Sequence, residues 1–328
     1  MTIDRQRIHL LLATTAVAFG FAVGPVAAQG SYPSKTVLMI VPAAAGGTTD
    51  LAGRMAAQAL APVIGQSVVV DNKSGGNGSI AANLVKRAEP DGYTLLMQYS
   101  GYHVISPHLT KARSWEQSDF APVANVLSAP QIIVVRSELP VKTLAELVTY
   151  AKANPGKLNY ASSGNGSLQH VTGAMLEQQA GIKMVHVPYK GTGPALQDLL
   201  GGQVELTFGT APPFMPHVHT GKLRVLAVTG KQRLSSLPDV PTTAEAGYPG
   251  VNATSWFALF APKATPQPVI DKLTADMKKV VEDPAFKKKA EEQGATADYM
   301  NPQQLGAMVK AEYANWAQVV KSSKIEAE

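Results

Sequence analysis

Residues 37–50 read VLMIVPAAAGGTTD. An apolar strand ends at a proline. A turn of small residues then gives way to two hydroxyls and a carboxylate where a helix should open. A helix start leaves backbone N–H groups unpaired and carries the positive end of the helix dipole, so such a corner can seat an anion. Gly46 and Gly47 lack a Cβ, so the backbone can come close to a ligand. Ala45 lies beside them, and Thr48 and Thr49 add hydroxyl donors. Asp50 cannot face a carboxylate directly; capping the turn or ordering water is its expected part.

The segment 161–170, ASSGNGSLQH, repeats the device: strand, hydroxyl- and glycine-rich loop, helix start. It supplies Ser162, Ser163, Gly166, Ser167 and His170. Two such corners facing each other could grip both ends of a dicarboxylate. A third strand end, 187–195, supplies Tyr189 and Thr192, and a fourth supplies Gly209 and Thr210. Ser100, after another strand, completes the expected binding set. Neither of the first two corners contains lysine or arginine, so neutral donors must do the work.

Other patterns carry less. Residues 76–81, GNGSIA, fit G-x-G-x-x-A, but they follow the second strand rather than the first, and Asp91 sits in a loop. Dinucleotide binding is therefore not expected. His217 and His219 lack a third ligand nearby, so no metal site is expected. No cofactor is expected. Ser163 or Ser167 with His170 would suit a periplasmic hydrolase, but there is no G-x-S-x-G nucleophile elbow. Aromatic residues are few and not interleaved with a basic stripe, which argues against nucleic acid. The lysines at 287–289 read as a solvated face.

The elements that must position these loops alternate. Strands are expected at 37–41, 67–71 and 94–98, with helices at 49–64 and 80–88. Further strands are expected at 120–126 and 131–135, separated by Ser128-Ala129-Pro130. A second series follows: helix 144–153, strand 158–161, helix 168–180, strand 184–187, helix 194–200, and strands 204–208 and 223–229. Strand 255–261 and helices 268–282, 284–293 and 302–322 close the chain. This order predicts an α/β fold with mainly parallel sheets flanked by helices.

The N-terminus reads as an export signal: Arg5 and Arg7, an apolar stretch from 10 to 26, and small residues at 26–28. Cleavage is expected after Ala28. Two domains are then expected, 29–128 with 229–328, and 129–228, with a ligand cleft between them. The chain has no cysteine and a formal charge of +5. Disulfides and thiolate chemistry are excluded, and the mild basicity suits an anionic small ligand.

These residues carry a family resemblance. Tyr32-Pro33-Ser34-Lys35, Val41-Pro42 with the Gly46–Asp50 corner, the run at 70–78 and Pro90-Asp91-Gly92-Tyr93 stand in order. Segments 162–167, 187–191, 200–204, 221–228 and 238–242 and the pair Trp256-Phe257 follow. The chain resembles the extracytoplasmic solute receptors of tripartite tricarboxylate transporters, the Bug receptors. The resemblance implies a monomeric two-domain periplasmic "Venus flytrap" that binds one small di- or tricarboxylate, with one carboxylate group on the first corner, and delivers it to a membrane permease with small and large subunits. A sensor role would use the same closed form. Residues 43–45 are all alanine where many members carry a bulkier residue, which implies a wider pocket and opens the way to an aromatic diacid such as a phthalate.

Overall fold

The computed structural model describes residues 32–322. The expected signal segment lies outside them. Five apolar residues form strand β1, Val37–Val41. Helix α1, Thr48–Ile64, leads to β2, Val68–Asn72, and α2, Ser79–Lys86, leads to β3, Thr94–Tyr99. β2 and β3 flank β1, both parallel to it. A π-helical turn, Gly101–Ile105, follows β3. Then comes β4, Phe120–Arg136, a single strand where two had been expected.

The second series runs α3 (Leu144–Ala153), β5 (Asn159–Ser162), α4 (Leu168–Ala180), β6 (Val185–Pro188), α5 (Thr192–Leu200) and β7 (Leu206–Thr210). Helix α6, Met215–His219, and strand β8, Leu223–Val228, complete it. β9 (Thr254–Pro262), α7 (Gln267–Glu282), α8 (Pro284–Glu292), β10 (Thr296–Met300) and α9 (Pro302–Ser322) follow. Sequence reading missed α6 and β10. α6 places His217 and His219 on a short helix.

Both sheets are mixed rather than purely parallel. β9 pairs antiparallel with β3 and with the first part of β4, from Phe120 to Pro130. From Gln131 onward β4 changes partners and pairs antiparallel with β7 and β8. β5 joins β6 and β7 in parallel. β4 thus belongs to two sheets. Register shifts between Pro122 and Ala124 and between Asn125 and Leu127 bend it on the way.

Alternation along β4 builds both faces of the second sheet. Ile133 and Val135 pack with Leu147, Tyr160 and Phe208 on one face. Ile132 and Val134 pack with Leu196, Leu199 and Phe214 on the other. Leu237 joins the second cluster and Val251 the first, so the segment between β8 and β9 lies on the second sheet. α1 and α7 cover the first sheet, and α9 packs on β4. No helix among the described residues is long and apolar enough to cross a membrane.

His103, in the π-helical turn, is fully buried among Trp115, Phe120, Trp256 and Phe260. Neither ring nitrogen has a hydrogen-bond partner. Burial disfavours the charged form and pushes its pKa down to about 3. The unfolded ring takes a proton below about pH 6.5, and the folded ring only near pH 3. The unfolded state therefore binds more protons in this window, and stability falls as pH falls through it. His103→Phe keeps the aromatic packing and should abolish this contribution, on the order of 2 kcal/mol between pH 6.5 and 4.5. Urea unfolding at the two pH values checks it; an unchanged acid-side slope would refute it.

Candidate functional site

The first corner forms as a helix start without a side-chain cap. Gly47 is the N-cap residue of α1, in extended conformation, and no side chain bonds the first-turn amides. The N–H groups of Thr48 and Thr49 have no intrahelical acceptor at this position. Gly46 turns the chain with φ +82°, a region glycine enters without a Cβ penalty. Asp50 is occupied behind the loop: it accepts from Gly46 N–H at 3.0 Å and from Arg54 Nε at 3.1 Å. Arg54 also donates to Asn72 Oδ1, and Asn72 Nδ2 donates to Ala43 O at 2.9 Å. The carboxylate and the guanidinium brace the loop instead of facing a ligand.

The loop borders a narrow, partly open cavity of about 20 Å³. Ala43, Gly47, Thr48 and Thr49 form one wall. Ser163, Gln169, Thr192 and Thr210 form the wall opposite, and Tyr99, Tyr102, Gln131, Ser255 and Phe257 close the remainder. All thirteen lining residues are uncharged, so an anion here would meet only neutral donors and helix dipoles. Ser163 Oγ and the Oε1 atoms of Gln131 and Gln169 are buried without hydrogen-bond partners. Gln131 Nε2 donates to Ser255 Oγ at 2.6 Å, and Gln169 Nε2 to Thr192 Oγ1 at 2.9 Å.

Of the expected set, the structure brings Gly47, Thr48, Thr49, Ser163, Thr192 and Thr210 to the cavity. The others serve the loops around it. Ser100 Oγ accepts from Trp256 N–H. Ser162 Oγ lies 2.6 Å from His186 Nε2 and accepts from Gly164 N–H. Gly166 turns against Leu109, and Ser167 Oγ caps α4 by accepting from His170 N–H. His170 Nδ1 accepts from Gly166 N–H at 3.1 Å, and its ring stacks on His186 at 3.7 Å. Burial pushes the His170 pKa down to about 4. Neither Ser163 nor Ser167 bonds the His170 ring, so the serine–histidine pairing of a hydrolase is not formed. The Tyr189 hydroxyl donates to Asp198, and Gly209 packs beneath Phe214.

Sequence reading had Ala43 in the pocket wall but missed Tyr99, Tyr102, Gln131, Gln169, Ser255 and Phe257. Gln131 and Ser255 carried a signal, as polar residues directly before apolar runs in β4 and β9.

The two walls meet backbone to backbone. Ala44 N–H donates to Lys190 O at 3.1 Å, and Thr210 Oγ1 donates to Thr48 Oγ1 at 2.6 Å. A Cβ on Gly193 would lie 2.1 Å from Ala45 O, and one on Gly191 would lie 3.0 Å from Ala44 N. The run of alanines therefore permits close approach of the loops. Of the three only Ala43 lines the cavity, so it alone bears on the cavity's width.

A family model described as the tripartite tricarboxylate transporter family receptor, TctC, matches residues 52–325. The chain belongs to this receptor family. The receptor is 34% identical over 318 residues to protein BugT of Bordetella pertussis, covering 96% of each chain. The structure of the periplasmic binding protein BugD aligns with a TM-score of 0.87 and 38% identity, over 90% of this chain and 100% of that one. An R. palustris protein with adipate gives 0.88 and 35%, over 90% and 99%. MatC from Rhodopseudomonas palustris, with bound malate, gives 0.83 and 32%, over 88% and 100%. The TctC receptor therefore has the two-domain periplasmic-binding-protein fold, and it is a solute-binding protein rather than an enzyme.

Gly193 lies in the first turn of α5, outside the cavity wall. In Gly193→Ala, alanine is the better helix former by up to about 1 kcal/mol, yet its methyl group would strike Ala45 O. The solute-free variant should still unfold cooperatively, at or below the wild-type temperature, while adipate or malate binding weakens at least about tenfold, or about 1.4 kcal/mol. Calorimetric titration beside thermal unfolding tests this; undiminished affinity would remove the loop contact from the binding mechanism.

Proposed function

We propose that this receptor works in the periplasm, encloses one short dicarboxylate between its two lobes, and hands it to a membrane permease with small and large subunits. The observation that carries the reading is the uncapped start of α1 opening on a narrow cavity whose lining is wholly uncharged. Unpaired amides and hydroxyls make charge-assisted bonds to a carboxylate and cost less to desolvate than a guanidinium. The adipate and malate bound by two relatives support an aliphatic diacid. Ala44 and Ala45 are used in the loop contact, so the case for a phthalate rests on the small side chain of Ala43 alone.

The lobes of this proposal turn about two crossings. One lies within β4, where pairing passes from β9 to β7 after Pro130. The other lies just before β9 rather than near 228–229, because Leu237 and Val251 pack with the second sheet. Rotation about two short crossings would open and close the cavity as rigid-body motion. A solute touching both walls would favour the closed form by its additional contacts.

Succinate, malate, adipate, phthalate and their dimethyl esters should be compared by thermal shift. A true ligand at 100 times its Kd should add about 2.7 kcal/mol of stability. Esterifying one carboxylate should cost about 1.5–3 kcal/mol, the worth of hydrogen bonds to a charged group. Binding should depend weakly on salt, since no cation in the wall supplies a screened long-range attraction. Diesters binding as well as diacids would defeat the carboxylate reading.

A further inference from the structure

Two hydroxyls in the cavity wall are already committed to the opposite lobe. Tyr99 ends β3, and Tyr102 lies in the turn that follows. Both rise from the first sheet, whereas residues 163–168 follow β5 of the second. The Tyr102 hydroxyl donates to Ser163 O. The Tyr99 hydroxyl accepts from Leu168 N–H at 3.0 Å, the first helical amide of α4. Ser106 Oγ adds a bond to Gly166 O at 3.3 Å. These bonds converge on the loop that presents Ser163 Oγ to the cavity, and none of them needs a solute atom.

The rings are fixed from behind. Tyr99 stacks on Phe257 with centroids 5.8 Å apart and meets Tyr102 edge-on at 5.1 Å. Tyr102 rests on Gly78, where a Cβ would lie 2.9 Å from the ring. The GNG of residues 76–78, which had looked like part of a dinucleotide motif, is thus the seat of this tyrosine. Asn77 Oδ1 reaches the position that a Cβ on Gly164 would take, 2.6 Å away. Burial pushes both phenol pKa values up, that of Tyr102 to about 12, so both hydroxyls keep their protons.

We propose that Tyr99 and Tyr102 are positioning residues, a hydroxyl latch that holds loop 163–168 on the first lobe and sets how long the closed receptor keeps its solute. The inference rests on reading the chain as a receptor that closes around a solute. Tyr99 also takes the first amide of α4 out of a ligand's reach, which leaves the α1 start as the open anion seat.

Tyr99→Phe, Tyr102→Phe and the double variant remove the hydroxyls and keep the rings. Thermal unfolding reports on the fold, small-angle scattering on the solute-free lobes, and stopped-flow with malate on kinetics. Each single variant should release malate on the order of 10-fold faster, with association unchanged within about 2-fold. The solute-free double variant should have a larger radius of gyration than wild type. A purely structural role would lower the melting temperature and leave both release rate and scattering at wild-type values; that result overturns the latch. If wild type does not bind malate, the scattering comparison alone decides, and identical profiles overturn the latch. Failure of wild type to bind any of the acids would instead count against the ligand reading.

Discussion

Two main chains come within hydrogen-bonding distance where Ala44 N–H meets Lys190 O, and much of the surrounding sequence follows from that approach. Glycine is required at 191 and 193 because a Cβ at either position would run into the facing backbone. Alanine at 44 and 45 keeps the opposing loop equally thin. The bracing of Asp50, Arg54 and Asn72 behind the loop then makes sense as the support of a surface that must keep its shape against another surface. Because charge is spent behind the loop, the cavity side is left with amides and hydroxyls.

β4 imposes the second constraint. One strand supplies the edge-to-edge continuity of the first sheet up to Pro130 and both faces of the second core from Gln131. The joint is itself hydrogen-bonded: Gln131 N–H is held near Ala253 O and Thr229 Oγ1, and Thr229 Oγ1 also donates to Ala253 O. Gln131 therefore belongs at once to the joint and to the cavity wall. A change in lobe angle would therefore act on a residue of the cavity wall.

The alternation of apolar strands with glycine-rich turns made the α/β series readable, and the α1 corner was readable down to Gly47, Thr48 and Thr49. Loop 162–170 was harder. Its composition announced a ligand loop, yet Ser162, Ser167 and His170 satisfy the loop's own amides, and Ser163 with neighbouring Gln169 faces the cavity. Residue type does not distinguish a hydroxyl that caps a turn from one aimed at a solute. The long β4 was read as two strands because Pro130 and the small residues before it look like a break. Antiparallel pairing with β9 supplies the partners that override this local signal. Tyr99 meets Phe257 only through pairing of β3 with β9, a contact between residues far apart in sequence.

The uncharged wall has an electrical consequence. A site lined with arginines is positive when empty and close to neutral when filled. This wall is neutral when empty and takes on the negative charge of its cargo when filled. A bound dianion would lower the chain's formal charge of +5 by two. The full receptor would then differ from the empty one in electrophoretic mobility, and in the field it presents to any charged surface it approaches.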